Sequence, residues 1–211
     1  MLLFLFFTKK KRYIRYAIIH LMICLTCKNL SFEIICKDCQ KNLLVPSFHK
    51  REIEDGFFNY SFYSLSELED LINSKYYFYG DRVFNILAKL SFAKFALNFD
   101  FPSEVLAIPI DDHTRHDFSH CAILAKHLKS KIIKPKYNSL KATNIVKYAG
   151  KNLEFRQKNS RKFQINNLSD KFVILCDDLI TTGTTIIQAK KALEKKNNQI
   201  LFSLTLADAK L

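Results

Sequence analysis

Residues 173–186 read VILCDDLITTGTTI. An apolar run meets two adjacent carboxylates, Asp177 and Asp178, and then Thr181, Thr182, Gly183, Thr184 and Thr185 follow in a row. Five consecutive apolar residues, 172–176, read as a strand buried on both faces. In open parallel sheets ligands bind beyond the carboxyl ends of the strands, and this strand delivers its two acids to that edge. A helix is expected over 186–196, with Ile186, Ala189 and Leu193 on one face. The turn between strand and helix offers outward-pointing amides that carry partial positive charge and suit a phosphate. Gly183 lets the backbone come close, and the threonine hydroxyls add donors without adding charge. The acids would repel a phosphate, so they fit neighbouring hydroxyl groups or a Mg2+ ion. An anion on one side and vicinal hydroxyls on the other describe a ribose 5-phosphate. The plainer reading, a strand end followed by a threonine helix cap, accounts for one threonine and one acid of the string.

Working outward, 199–207 reads as a further strand, 105–110 as a short apolar one, 118–130 as a helix and 131–134 as a short extended piece. Strand, helix, strand, helix, strand is the rhythm of an α/β domain with a parallel sheet and right-handed crossovers. Upstream, Ser64-x-x-Glu67 is a capping-box pattern opening a helix over 64–74, after a short extended segment at 59–63. Asp81 is expected to cap a longer helix through 98, whose aromatic-rich face reads as core packing. Residues 43–56 read as a connector.

The chain has 211 residues, with 33 Lys and Arg against 20 Asp and Glu. That balance favours a polyanionic partner: nucleic acid, a phosphorylated metabolite or an anionic membrane surface. A codon bias toward Lys, Asn, Phe and Ile would produce the same excess, and both explanations stand. From Lys126 to Lys162 there are twelve basic residues and one acid, Glu154. The clustering favours a phosphate or nucleic-acid role over a merely solvated loop. Residues 1–21 look foreign: a short greasy run precedes Lys9, Lys10, Lys11 and Arg12, the reverse of a secretory signal. The run is far shorter than the ~20 residues that span a bilayer, so no stable membrane insertion is expected. Translation is expected to begin at Met22, with 1–21 a non-native extension. The rest divides as 22–45, a cysteine module; 46–100, a helical connector; and 101–211, the α/β domain.

Cys24-x2-Cys27 and Cys36-x2-Cys39 form two knuckles whose four thiolates can close a tetrahedral structural Zn2+ site. Lys28 and Lys37 would temper its charge. Two disulfides are the alternative, in an oxidising compartment; with no export signal, zinc and a cytoplasmic location are expected. A thioredoxin-like redox pair lacks its strand-to-helix context. Cys121 and Cys176 sit in apolar surroundings and read as core.

Residues 173–185 resemble the signature of type I phosphoribosyltransferases: apolar strand, two acids, two residues, Thr-Thr-Gly-x-Thr. The resemblance implies that phosphoribosyl diphosphate is bound with Mg2+, Asp177 and Asp178 on the ribose hydroxyls and Thr181 to Thr185 on the 5-phosphate. A four-cysteine amino end before such a domain resembles the ComF family of competence proteins, over most of 22–211. Arg115-His-Asp-Phe118-Ser-His lies where that family has Arg-Gly-Phe-Asn-Gln, with Asp117 in the glycine's place. Residues 154–163 resemble the family's Arg-x-x-Asn segment before a Phe, and Arg156 and Lys147 are candidate phosphate contacts. In a catalytic chain, Asp178 would stabilise positive charge developing on the ribose as diphosphate leaves, and Arg115 the leaving group. Two readings follow. One is a phosphoribosyltransferase-like enzyme. The other is a non-catalytic DNA-uptake accessory, binding single-stranded DNA and docking a helicase through its zinc module.

Overall fold

The computed structural model describes residues 23–110, 118–143 and 162–211. The chain divides into two compact units between Val45 and Pro46.

The described part of the first unit is small. It holds an isolated bridge between Ile23 and Leu30 and one short helix, α1 (Lys37–Asn42), capped by the Cys36 side chain. Its buried apolar residues are Cys24, Ile34, Ile35, Cys39 and Leu44.

The second unit is built on a six-stranded sheet. In chain order its strands are β1 (His49–Glu54), β2 (Phe57–Ser64), β3 (Val105–Pro109), β4 (Ile133–Pro135), β7 (Phe172–Ile180) and β8 (Gln199–Asp208). They lie in the order β1-β2-β8-β7-β3-β4, and all neighbours run parallel except the β1–β2 hairpin. A separate antiparallel pair joins β5 (Leu140–Ala142) to β6 (Phe163–Ile165). The helices are α2 (Leu65–Asn73), α3 (Gly80–Leu90), α4 (Phe92–Asn98), α5 (His120–His127) and α6 (Thr184–Glu194).

Central position explains the composition of β7. It is flanked by β8 and β3, so both faces are covered and Val173 to Cys176 are all buried. Val173 and Leu175 join a core with Ile186, Ala189 and Leu193 of α6. The fold class is the expected one, a mostly parallel α/β sheet flanked by helices. Between β2 and β8 the sheet also buries polar groups. Asn59 donates to Ser61 Oγ and to Thr205 Oγ1 (2.9 Å each), Ser203 Oγ donates to Asn59 Oδ1 (2.8 Å), and the Ser61 and Thr205 hydroxyls bond at 2.7 Å. Every member has a partner, so the lattice is satisfied despite its burial.

Several expectations change in detail. The capping box at Ser64 and Glu67 is present. The stretch 46–100 is more than a helical connector: it supplies β1 and β2 to the same sheet as 101–211. The helix expected over 81–98 begins at Gly80 and breaks at Ser91, whose hydroxyl bonds the Leu87 carbonyl at 2.7 Å. Such back-bonding bends helices. Gly80 is needed for close approach, since a Cβ there would lie 2.3 Å from the Ser74 carbonyl oxygen. The central strand does not end at Cys176 but runs on to Ile180, carrying both acids within it.

Candidate functional site

Strand β7 outruns its neighbour. Its pairing with β3 ends at Cys176, where the Ile110 amide donates to the Cys176 carbonyl at 2.8 Å. Pairing with β8 continues on the other side, Asp177 opposite Thr205 and Ile180 opposite Asp208. Among the described residues the acids therefore occupy a step at the carboxyl edge of the sheet, paired there only with β8.

The two carboxylates differ. Asp177 is half-buried; its Oδ1 accepts from the Asp178 amide (2.9 Å) and from the Cys121 thiol (3.3 Å). Asp178 is buried, and its Oδ2 lies 2.6 Å from Lys75 Nζ and 3.6 Å from His120 Nε2. Burial pushes the Asp178 pKa up, but the Lys75 ammonium and His120 outweigh it and hold the carboxyl well below the usual range. Lys75 answers in kind: burial lowers its pKa, the Asp178 charge and hydrogen bond raise it, and the net direction is up. Ligand atoms of His120, Cys121 and Asp178 lie within 4.8 Å of one another, spacing that would admit a metal. The Lys75 ammonium competes for that carboxylate.

The loop begins where β7 ends. Gly183 caps α6 with φ +81°, a left-handed conformation that a side chain disfavours, and a Cβ there would sit 3.2 Å from Ile53 Cβ. Thr182 is exposed; its hydroxyl bonds that of Thr184 at 2.9 Å and accepts weakly from the Thr184 amide at 3.4 Å. Thr181, Thr184 and Thr185 are partly exposed. The first amides of α6 have no acceptor within the helix, as at any helix start. The structure thus brings Asp177, Asp178 and the residues from Thr181 to Thr185 to one strand end. Arg115, Lys147 and Arg156 lie outside the described residues.

Sequence reading missed Lys75 and His120. Lys75 stands in Lys75-Tyr-Tyr-Phe-Tyr79, a string with no motif, in a single 3-10 turn (Ser74–Tyr76) after α2. His120 opens α5 behind a Ser119 cap whose side chain accepts from the Ala122 amide, two residues later than the helix start expected at 118.

In the first unit the four cysteines converge. Cys24 and Cys39 sulfurs are 3.8 Å apart, as are Cys27 and Cys36. Tetrahedral zinc with Zn–S bonds of about 2.3 Å has S···S edges of about 3.8 Å, so the donor set fits. The Cys36 amide donates to Cys24 Sγ at 3.3 Å, and the Cys39 amide to Cys36 Sγ at 3.5 Å. Burial opposes charge on Cys24, but the Cys36, Cys27 and Thr26 amides prevail and lower its thiol to about 6. Cys39, buried among the other three sulfurs, is pushed up instead. None of the six cysteines forms a disulfide.

A groove of about 720 Å³ runs between α5 and β4 in the second unit. Ala122, Ile123 and Pro135 give it an apolar floor; Lys126, Lys129, Lys134 and the part-exposed Tyr137 line it.

A model of the phosphoribosyl transferase domain matches residues 119–210, which include the acids and the threonine loop but neither Lys75 nor the four-cysteine cluster. No curated protein sequence matches the chain. Similar solved structures include a hypoxanthine phosphoribosyltransferase from Staphylococcus aureus, 15% identical over 59% of this chain and 62% of that one, with a TM-score of 0.37. UMP synthase from Leishmania donovani is 13% identical over 81% of this chain and 31% of that one, with a TM-score of 0.38. The chain therefore spans less than two thirds of either. Among the described residues no helix is long and apolar enough to cross a membrane.

Proposed function

We propose that the second unit binds a phosphoribosyl group at the end of β7, as ribose 5-phosphate or phosphoribosyl diphosphate. One observation carries this reading: two acids at the end of the central strand, paired among the described residues only with β8, lie within six residues of a left-handed glycine at a helix start. The 5-phosphate takes the amides and hydroxyls from Thr181 to Thr185, and Asp177 and Asp178 face the ribose hydroxyls. Arg115, Lys147 and Arg156, outside the described residues, are proposed as further phosphate contacts. Mg2+, which keeps waters and binds one or two carboxylates plus substrate phosphates, would be held on the protein side by Asp177, the less buried acid. It supplies charge neutralisation on the diphosphate. In a catalytic chain, Asp178 is the carboxylate assigned to the positive charge that develops on the ribose. It keeps its own charge in a buried place because Lys75 supports it. Cys24, Cys27, Cys36 and Cys39 would hold Zn2+, whose role is to fold 22–45. The layout resembles ComF proteins, and the proposed setting is cytoplasmic DNA uptake, with the zinc module meeting a helicase.

A second reading has its own observation. The groove between α5 and β4 combines three lysines with an apolar floor and a part-exposed tyrosine. Phosphates on lysines with bases stacked on an aromatic ring is how single strands are held. Here the chain would be a non-catalytic accessory protein.

Calorimetric titration with phosphoribosyl diphosphate and Mg2+, beside labelled single-stranded DNA, separates the two. On the first reading Asp177→Asn weakens the sugar ligand about tenfold or more, a loss of at least one charge-assisted hydrogen bond. On the second, Lys126→Ala with Lys129→Ala lowers DNA affinity and flattens its salt dependence by about 1 to 2 in log–log slope. Binding of neither ligand retires both.

A further inference from the structure

Two side chains of the edge strand β1, Arg51 and Ile53, reach the threonine loop, and a third, Glu54, reaches the helix that follows it. Arg51 donates through Nη2 to the Thr181 carbonyl (2.9 Å) and through Nη1 to Asp208 Oδ1, on a buried residue at the end of β8. The same Oδ1 accepts from the Lys210 amide at 2.8 Å. Ile53 lies against Gly183. Glu54 takes Lys190 at 3.0 Å and Lys191 at 2.7 Å, both on α6. The β1–β2 pairing slips between Glu52 and Glu54, so Ile53 is the extra residue of a bulge. Bulges re-aim side chains, and this one packs Ile53 against Gly183, where a Cβ would sit 3.2 Å from the Ile53 Cβ.

We infer that the β1 hairpin is the positioning element of the loop, with Arg51 setting its shape through the Thr181 carbonyl. A peptide plane is rigid, and its C=O and N–H point in opposite directions. Holding the Thr181 carbonyl toward β1 therefore turns the Thr182 amide away from β1. The bulge fixes Gly183 from beneath, and Glu54 ties the C-terminal half of α6 to the same strand. Loop entry, loop centre and helix are each gripped by a different residue of one short strand. The ligand then meets amides already in place and loses less entropy on binding. This rests on the proposed phosphoribosyl reading of the site.

The test compares Arg51→Met and Arg51→Lys with the parent in the full chain. Ribose 5-phosphate affinity is measured by calorimetry, and exchange of the amides of residues 182–185 by mass spectrometry. Arg51→Met is expected to weaken ribose 5-phosphate by about tenfold or more. It is expected to speed loop exchange by about tenfold, leaving α2 unchanged. Arg51→Lys keeps the charge but cannot fork to both acceptors, so it recovers melting temperature and not affinity. Changes within about twofold in both affinity and loop exchange for Arg51→Met overturn the inference, as does joint recovery of affinity and melting by Arg51→Lys. If the parent chain binds no ribose 5-phosphate, the phosphoribosyl reading falls and loop exchange alone judges the brace. Should Arg51→Met fail to fold, Ile53→Ala is read by the same two measurements.

Discussion

Replacing Lys75 by methionine is expected to cost the fold about 3–5 kcal/mol at neutral pH, the loss seen when one partner of a buried ion pair is removed. The Asp178 carboxylate is buried and the Lys75 ammonium, 2.6 Å away, is mostly so. Methionine keeps the length of the side chain and leaves the carboxylate without its cation. The sign of the pH dependence follows from the two shifts. Asp178 has a depressed folded pKa, so its contribution is present above the ordinary carboxylate value and fades as pH falls through the depressed one. Lys75 has a raised folded pKa, so its contribution is present below the ordinary lysine value and fades as pH rises through the raised one. The parent pair is therefore intact from roughly pH 4 to 10. In the variant, burial is no longer offset by the ammonium, and the Asp178 pKa moves up. Acidification to about pH 5 then protonates Asp178, which restores part of the loss. Urea unfolding at about pH 7.5 and pH 5 reads the effect. A loss below about 1 kcal/mol at the higher pH, or one that grows on acidification, would show that the pair does not hold the strand end.

The second large effect lies in the first unit. Cys24→Ser with Cys39→Ser is expected to abolish metal binding and unfold residues 23–45, while the unit from Pro46 onward keeps its own melting transition. The reason is size. Among its described residues, one six-residue helix, one bridge and five buried apolar residues cannot stabilise a fold, and segments below about 40 residues generally need a metal or disulfides. Structural zinc supplies about 10–16 kcal/mol of apparent binding free energy in comparable small modules. Elemental analysis gives the metal content, the absorption of a Co2+-loaded sample reports tetrahedral thiolate ligation, and hydrogen exchange follows 23–45. Protected amides in that segment after complete metal removal would contradict the assignment, and so would two disulfides in the purified protein.

How much of this was legible depends on what each element is made of. Strand β7 announced itself because a strand covered on both faces has to be apolar throughout, and the four cysteines because their spacing is a ligand pattern. The box at Ser64 and Glu67 was readable for a similar reason, its two hydrogen bonds being local. The reach of β7 through Asp177 and Asp178 was not readable: aspartate disfavours strands, and what holds it there is Lys75, 103 residues away. Strand β1 was hidden because His49-Lys-Arg-Glu-Ile-Glu54 has no apolar alternation; it is an edge strand, and its polar side chains serve as partners for the loop and α6. The break at Ser91 turns on a single hydroxyl within an otherwise continuous helical pattern. Of the candidate site, the acids and threonines came from local sequence, whereas Lys75, His120 and Arg51 came only from the fold.

The polar lattice between β2 and β8 has a bearing on how the protein is made. Its partners are separated by about 144 residues in the chain, so β2 emerges from the ribosome long before the strand that satisfies Asn59 and Ser61. Until β8 is synthesised, the hairpin has an apolar face and an open edge with no permanent neighbour. A pairing slipped by one residue would bury those amides and hydroxyls unmatched, which makes wrong alignments costly. The middle of the sheet is thus completed by a strand translated long after its neighbour β2, and the topology favours slow folding through distant contacts.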